Sequence, residues 1–131
     1  MLLCVKLNNG FHMLTATCHC KNVRLDIKMK TLKKIEKCNC SMCSRKFAAY
    51  FFVDVDKLSL ANGQDSLAEY SFHSKQAKHF FCRICGVHTH HLMRVDPTKY
   101  AVNLACLTDV KIEDYSEIKY WNGRDHPKDN F

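Results

Sequence analysis

The chain is 131 residues long, 47% hydrophobic, and carries a formal charge of +7. That length holds one domain with a modest core, and that composition excludes an intrinsically disordered chain. No apolar run reaches the roughly 20 residues of a membrane-spanning helix. The opening Met1-Leu2-Leu3-Cys4-Val5-Lys6-Leu7 is broken by a charge and lacks a small-residue cleavage site, so it does not read as a secretory signal.

In chain order, residues 1–14 form an N-terminal segment of uncertain order, with residues 1–13 doubtful as core. Cys18-His19-Cys20 then leads into Val23-Arg24-Leu25-Asp26-Ile27-Lys28-Met29-Lys30, where every second residue is apolar, the period of a half-buried strand. A basic stretch follows (Lys28, Lys30, Lys33, Lys34, Lys37), with no nucleic-acid-binding motif beside it, so it reads as solvated charge rather than a phosphate-binding surface. Cys38-Asn39-Cys40-Ser41-Met42-Cys43 comes next, and the sequence allows only a turn or two of helix around Ser41 to Phe47. Tyr50 to Val55 is a strand with Phe51, Val53 and Val55 on one side, and Asn62-Gly63 is a turn because both residues tolerate positive φ. Ala68, Tyr70 and Phe72 alternate in a further strand, Tyr100 to Leu104 is another, and Glu117 to Trp121 is a late one before Asn122-Gly123. Between them lies Cys82-Arg83-Ile84-Cys85-Gly86, followed by Val87-His88-Thr89-His90-His91. In a regular strand His88 and His90 would share a face and His91 would oppose them. The residues from Arg124 to Phe131 are polar and expected to fray. The fold class is mainly β, with antiparallel sheets, little helix and a metal-pinned core.

Seven of the nine cysteines fall in the three clusters, and only Cys4 and Cys106 stand alone. Clustered thiols in an odd total point to metal rather than disulfides, hence to a reducing compartment, cytosol or nucleus. Cys82-x-x-Cys85-Gly86 has the form of a zinc knuckle, in which the Gly allows positive φ and turns backbone N–H groups toward the sulfurs. Two thiolates do not close a structural site. Cys18 and Cys20 could complete it, although spacing alone leaves them free to join the second cluster instead. Cys38, Cys40 and Cys43 place three sulfurs within one short loop, and three protein ligands with an exchangeable fourth position is the arrangement of catalytic zinc. His88, His90, His91 or Cys106 could instead close that tetrahedron, or the cluster could be labile, metal-free or oxidised. Arg45 and Lys46 follow closely enough to anchor an anionic ligand, or to be solvated charge. Filling a Cys₄ and a Cys₃ site would lower the formal charge by three, to about +4, because each thiolate brings a negative charge.

The cluster order resembles the glutathione-dependent formaldehyde-activating enzyme family, and is most similar to its eukaryotic, centromere-protein-V-like branch. The likeness is carried by Cys18-His19-Cys20-Lys21-Asn22-Val23-Arg24, by Cys38 to Cys43, and by Ala77 to Val87. Asn103 to Leu107 and Tyr120-Trp121-Asn122-Gly123 look like closing elements, so that residues 15–126 make up the zinc domain and 127–131 a frayed tail. The resemblance implies the Mss4-like fold and a structural zinc on Cys18, Cys20, Cys82 and Cys85. It also implies a second zinc, open and catalytic in type, on Cys38, Cys40 and Cys43. The implied activity is a carbon–sulfur lyase, of the S-(hydroxymethyl)glutathione synthase type, condensing glutathione or a related thiol with formaldehyde. Where the family usually has Gly after the first C-x-C this chain has Lys21, so that a positive φ there would strain Lys21 unless Asn22 absorbs the turn. Ser44-Arg45-Lys46 replaces a paired arginine after the second cluster. The alternative to an enzyme is a non-catalytic, zinc-stabilised binding module for protein or nucleic acid.

Overall fold

The structure is a computed structural model that describes residues 12–29, 32, 34–109 and 118–129. Cys4, Lys30, Lys33 and Glu117 lie outside the described residues. In chain order the strands are β1 His12–Thr17, β2 Arg24–Met29, β3 Glu36–Cys38, β4 Tyr50–Asp54, β5 Leu58–Asn62, β6 Leu67–Tyr70, β7 Lys78–Cys82, β8 His88–Leu92, β9 Lys99–Asn103 and β10 Lys119–Trp121. Among the described residues there is a single α-helix, α1 Ser41–Lys46. No described helix is long and apolar enough to cross a membrane.

Two sheets form. The smaller has the order β1-β2-β5 and the larger β10-β3-β4-β9-β8-β7-β6. Every pairing is antiparallel except β10 with β3, which is parallel. The alternation of β2 buries Leu25 and Ile27, with Val23 just before them, against Leu14 and Ala16 of β1. The same core takes Phe51 and Val53 from β4, Val102 from β9, and Leu104 beyond it. Thus β1 supplies two buried core residues just past residues 1–13, the stretch doubted as core. A bridge from Ala16 to Leu107 and a bond from the Thr108 N–H to the Thr15 carbonyl (3.0 Å) join the two layers at one edge.

Several expectations shift at element ends. Val55 leaves the β4 alternation: it opens a 3₁₀ turn, Val55–Lys57, and is exposed. Phe72 lies beyond β6, stacked between Tyr70 and His79 at centroid distances of 5.9 and 5.8 Å. Gly63 does turn the chain with φ +102, and the turn carries it from β5 in the small sheet to β6 in the large one. A Cβ on Gly63 would lie 2.4 Å from the Asn22 carbonyl oxygen, so the close approach of the two loops requires glycine there.

Residues 124–129, part of the stretch expected to fray, are instead tied down at Asp129. That buried carboxylate accepts the Ser41 backbone N–H at 3.0 and 3.1 Å and the Ser41 hydroxyl at 2.7 Å. Polarity misled here because the carboxylate satisfies a helix-end N–H that lacks an intrahelical partner.

Candidate metal centres

Cys18 and Cys20 flank the turn between β1 and β2, while Cys82 ends β7 and Cys85 closes the following turn. The fold brings the four sulfurs together, each within 4.8 Å of the others. Cys18–Cys20 and Cys20–Cys82 sulfurs are both 3.6 Å apart, close to the about 3.8 Å edge of a tetrahedron with metal–sulfur bonds of about 2.3 Å. Backbone N–H groups point at the sulfurs, as a thiolate cluster requires: Val23 to Cys18 at 3.3 Å and Ile84 to Cys82 at 3.4 Å. Backbone N–H groups of Cys20 and Val87 hold the Cys85 thiol down to about 6, and the Asn22 side-chain amide lowers that of Cys20. Gly86 takes φ +79 as the knuckle requires, and Lys21 itself adopts φ +67, so Asn22 does not absorb the turn. The donor set fits a tetrahedral thiophilic ion.

Cys38, Cys40 and Cys43 gather at the junction of β3 and α1, again with each sulfur within 4.8 Å of the others. Cys40 is the N-cap of α1, its sulfur accepting the Cys43 N–H at 3.3 Å, and Cys38 accepts the Cys40 N–H at 3.4 Å. Hydrogen bonds from the neighbouring Cys38 and Cys43 thiols lower the Cys40 thiol strongly. Gly123 presses on this cluster from the chain end: a Cβ there would lie 2.5 Å from the Cys38 sulfur. The Asn39 side chain receives the Arg124 N–H at 2.9 Å and donates to Asn122 at 3.1 Å, which fixes that approach.

The two clusters lie against opposite faces of the large sheet. Phe51 and Val53 of β4 face the main core, whereas Tyr50 and Phe52 pack with Cys40, Cys43 and Ala101 on the other side. There the three cysteines open on a chamber of about 840 Å³, its mouth included, lined also by Tyr50, Phe72, His79, His91, Met93 and Arg94. The buried Tyr50 hydroxyl and Arg94 Nε have no hydrogen-bond partner among the described residues. Burial, reinforced by the neighbouring Cys43 and Cys40 sulfurs, raises the Tyr50 phenol and keeps it protonated.

Of the other residues singled out from sequence, Arg45 is exposed and bonds the Ser41 carbonyl at 2.7 Å, on its own helix. Lys46 is the inward-facing member of that pair, 2.7 Å from His79 Nδ1 and 3.3 Å from His88 Nε2. Burial lowers Lys46 to about 8, against the opposing pull of the Cys43 and Cys40 sulfurs. Burial, then the Lys46 charge, lowers His79 to about 4 and His88 to about 2. Cys106 packs in the main core with its thiol raised to about 12 by burial. Its sulfur is 3.5 Å from the His88 carbonyl, and it belongs to neither cysteine cluster.

The histidine pattern differs from the expected one. Phe80 pairs with His90 and Phe81 with His88, which leaves Thr89 as an extra residue on β8. Such a bulge shifts the alternation by one, so His88 and His91 come to one side with His79, while His90 stacks on Phe80 at 4.7 Å. Tyr50, His79 and Arg94 were absent from the sequence-derived candidates. Their role is one of position across the sheet, and no local spacing marks it.

A family model for the glutathione-dependent formaldehyde-activating enzyme matches residues 13–123. A crystal structure of a Rhodobacter sphaeroides protein is similar at a TM-score of 0.78 and 34% identity, over 82% of this chain and 99% of that one. The mainly β, Mss4-like architecture expected from the cluster order is therefore the one observed. With the three cysteine motifs in place and the match spanning both clusters, the chain belongs to the glutathione-dependent formaldehyde-activating enzyme family.

Proposed function

We propose that the protein is a zinc-dependent carbon–sulfur lyase that joins a small thiol, glutathione in the first instance, to formaldehyde. A structural zinc would sit on Cys18, Cys20, Cys82 and Cys85, and a second on Cys38, Cys40 and Cys43. The supporting observation is that the three-cysteine cluster faces a chamber that also presents Tyr50 and Arg94. Zinc held by three thiolates, with its fourth position open, would supply the Lewis acidity that keeps an incoming thiol deprotonated.

The chain's own groups account for the rest. Arg94 lines the chamber and offers a cation to a carboxylate of glutathione, a task for which Arg45 is turned the wrong way, while the Lys37 ammonium lies over the Phe47 ring. Phe52, Phe72 and Met93 narrow the space and exclude water around the reacting carbon. As the sulfur–carbon bond forms, the carbonyl π pair moves onto oxygen, where the Tyr50 hydroxyl donates a hydrogen bond to it, and the proton shed by the thiol completes the product hydroxyl.

The likeness to the centromere-protein-V-like branch rests on the same motifs, and its clustered thiols suit a reducing compartment, cytosol or nucleus. The test is cobalt-substituted protein titrated with glutathione, followed by formation of S-(hydroxymethyl)glutathione by NMR. A ligand-dependent change in the thiolate–cobalt spectrum, with turnover lost in Tyr50→Phe at unchanged metal content, is expected. An unmoved spectrum at saturating glutathione would remove that thiol as the substrate and favour a non-catalytic binding module.

A further inference from the structure

His79, His88 and His91 bring three imidazoles together between the large sheet and α1. The His79–His91 ring centroids are 4.9 Å apart and the His88–His91 centroids 5.7 Å. One nitrogen from each ring lies within 4.8 Å of the other two. The register produces this cluster, since β7 sets His79 opposite His91 and the bulge at Thr89 returns His88 to their side.

The hydrogen bonds show where the lone pairs point. His88 Nδ1 lies 2.8 Å from the Phe80 carbonyl, which can only accept, so Nδ1 carries the proton and Nε2 the lone pair. A backbone carbonyl fixing the tautomer in this way is the usual support of a metal-ligating histidine. Lys46 Nζ stands 3.3 Å from that Nε2 and 2.7 Å from His79 Nδ1. An ammonium has no lone pair, so both nitrogens are directed at one cation. His91 Nδ1 and His79 Nε2 are buried without a hydrogen-bond partner.

We propose that His79, His88 and His91 form a third metal site, for a borderline divalent cation such as Zn²⁺, Co²⁺ or Ni²⁺, which the Lys46 ammonium fills when no metal is bound. The ligand set is all imidazole, which suits these ions and not Ca²⁺ or Mg²⁺. It is also neutral, so it binds more weakly than either thiolate cluster and depends on removal of the lysine charge. Metal–nitrogen bonds of about 2.0–2.1 Å place tetrahedral ligand nitrogens about 3.4 Å apart. The lysine, at hydrogen-bond distance from two of the nitrogens, occupies the position the ion would take. His79 and His91 also line the chamber, so a remaining coordination position on the ion would be reached from the space that the three cysteines face. This site is independent of whether a thiol and an aldehyde react there.

The experiment titrates cobalt into the full-length, zinc-loaded protein and into its Lys46→Met and Lys46→Met/His91→Gln variants. Lys46→Met keeps the apolar stem and removes the charge. It is expected to take up one equivalent beyond what the cysteines hold, with visible d–d bands and no new thiolate charge-transfer band. Its affinity should exceed that of the parent protein by about tenfold or more. The double variant should lose that equivalent while keeping its cysteine-bound zinc. An extra equivalent that survives His91→Gln, or that is missing from Lys46→Met at millimolar cobalt, overturns the proposal. If Lys46→Met does not fold, imidazole ¹⁵N spectra of the parent protein under a zinc titration decide. Movement of the His79, His88 and His91 nitrogens together supports the site, and unmoved nitrogens refute it.

Discussion

The two cysteine clusters use the same ligand for different ends. The four-cysteine set joins residues far apart in the chain: Cys20 and Cys82 are 62 positions apart and their sulfurs 3.6 Å. It sits against the main core, so an ion there would close a long loop and cross-link the fold. The three-cysteine set lies within one short loop and the first turn of α1, so an ion there closes almost no loop. It faces a chamber lined by Tyr50 and Arg94 instead of packed aliphatic side chains. Four ligands spread across the topology make a staple. Three on one loop would leave an ion held there with a coordination position facing the chamber.

The sharpest way to break this comparison is one substitution in each cluster. Cys82→Ser should abolish the cooperative thermal transition or send the protein into aggregates, because structural zinc contributes folding free energy of about 10 kcal/mol or more. Cys40→Ser should leave the far-UV spectrum intact and lower the metal content by one equivalent. Equal damage from both, read by circular dichroism and metal analysis, would erase the distinction between staple and open site.

Gly123→Ala sharpens the comparison at one cluster alone. Its new Cβ would meet the Cys38 sulfur and the Cys40 Cβ at 2.5 and 3.0 Å. The cost should be about 1–3 kcal/mol in urea unfolding, with chelators stripping the three-cysteine metal faster and the four-cysteine metal unchanged.

Asp129→Ala removes the external cap of α1, at about 1 kcal/mol. It should loosen the same cluster, which chelator kinetics would report. The smallest effect is expected at the other cluster, where Lys21 holds φ +67 beside Cys20. Lys21→Gly should relieve the left-handed strain, partly offset by glycine's own entropy, for a net stabilisation on the order of 0.5 kcal/mol.

Much of this was legible from spacing alone. The C-x-C, C-x-C-x-x-C and C-x-x-C-G motifs identify metal-binding loops because ligand convergence on one ion is a local property of a short turn. The alternation through Leu25 and Ile27 identifies β2 for the same reason: period two is set residue by residue along the strand. Gly86 was readable because a positive φ at a knuckle favours a residue without Cβ. The sequence also left open which cluster Cys18 and Cys20 join, and only the tertiary structure pairs them with Cys82 and Cys85. That choice depends on how β2 and β7 pack across the core, which no local pattern encodes.

The same limit explains the rest of the site. Tyr50 reads as one more residue in an apolar run, and its alternation gives it a face without saying what that face meets. The pairing of β4 with β3 and β9 turns it toward the cysteines. His88 and His91 share a side because of a bulge, a register event between two strands that the period of one strand cannot reveal. Arg45 and Lys46 are adjacent in sequence, yet helical rotation and the packing of α1 on the sheet leave one exposed and bury the other among histidines. Sequence by itself determined which cysteines can bind a metal and that the chain is β. Tertiary structure decided which of them meet, because long-range contact is set by sheet register and core packing.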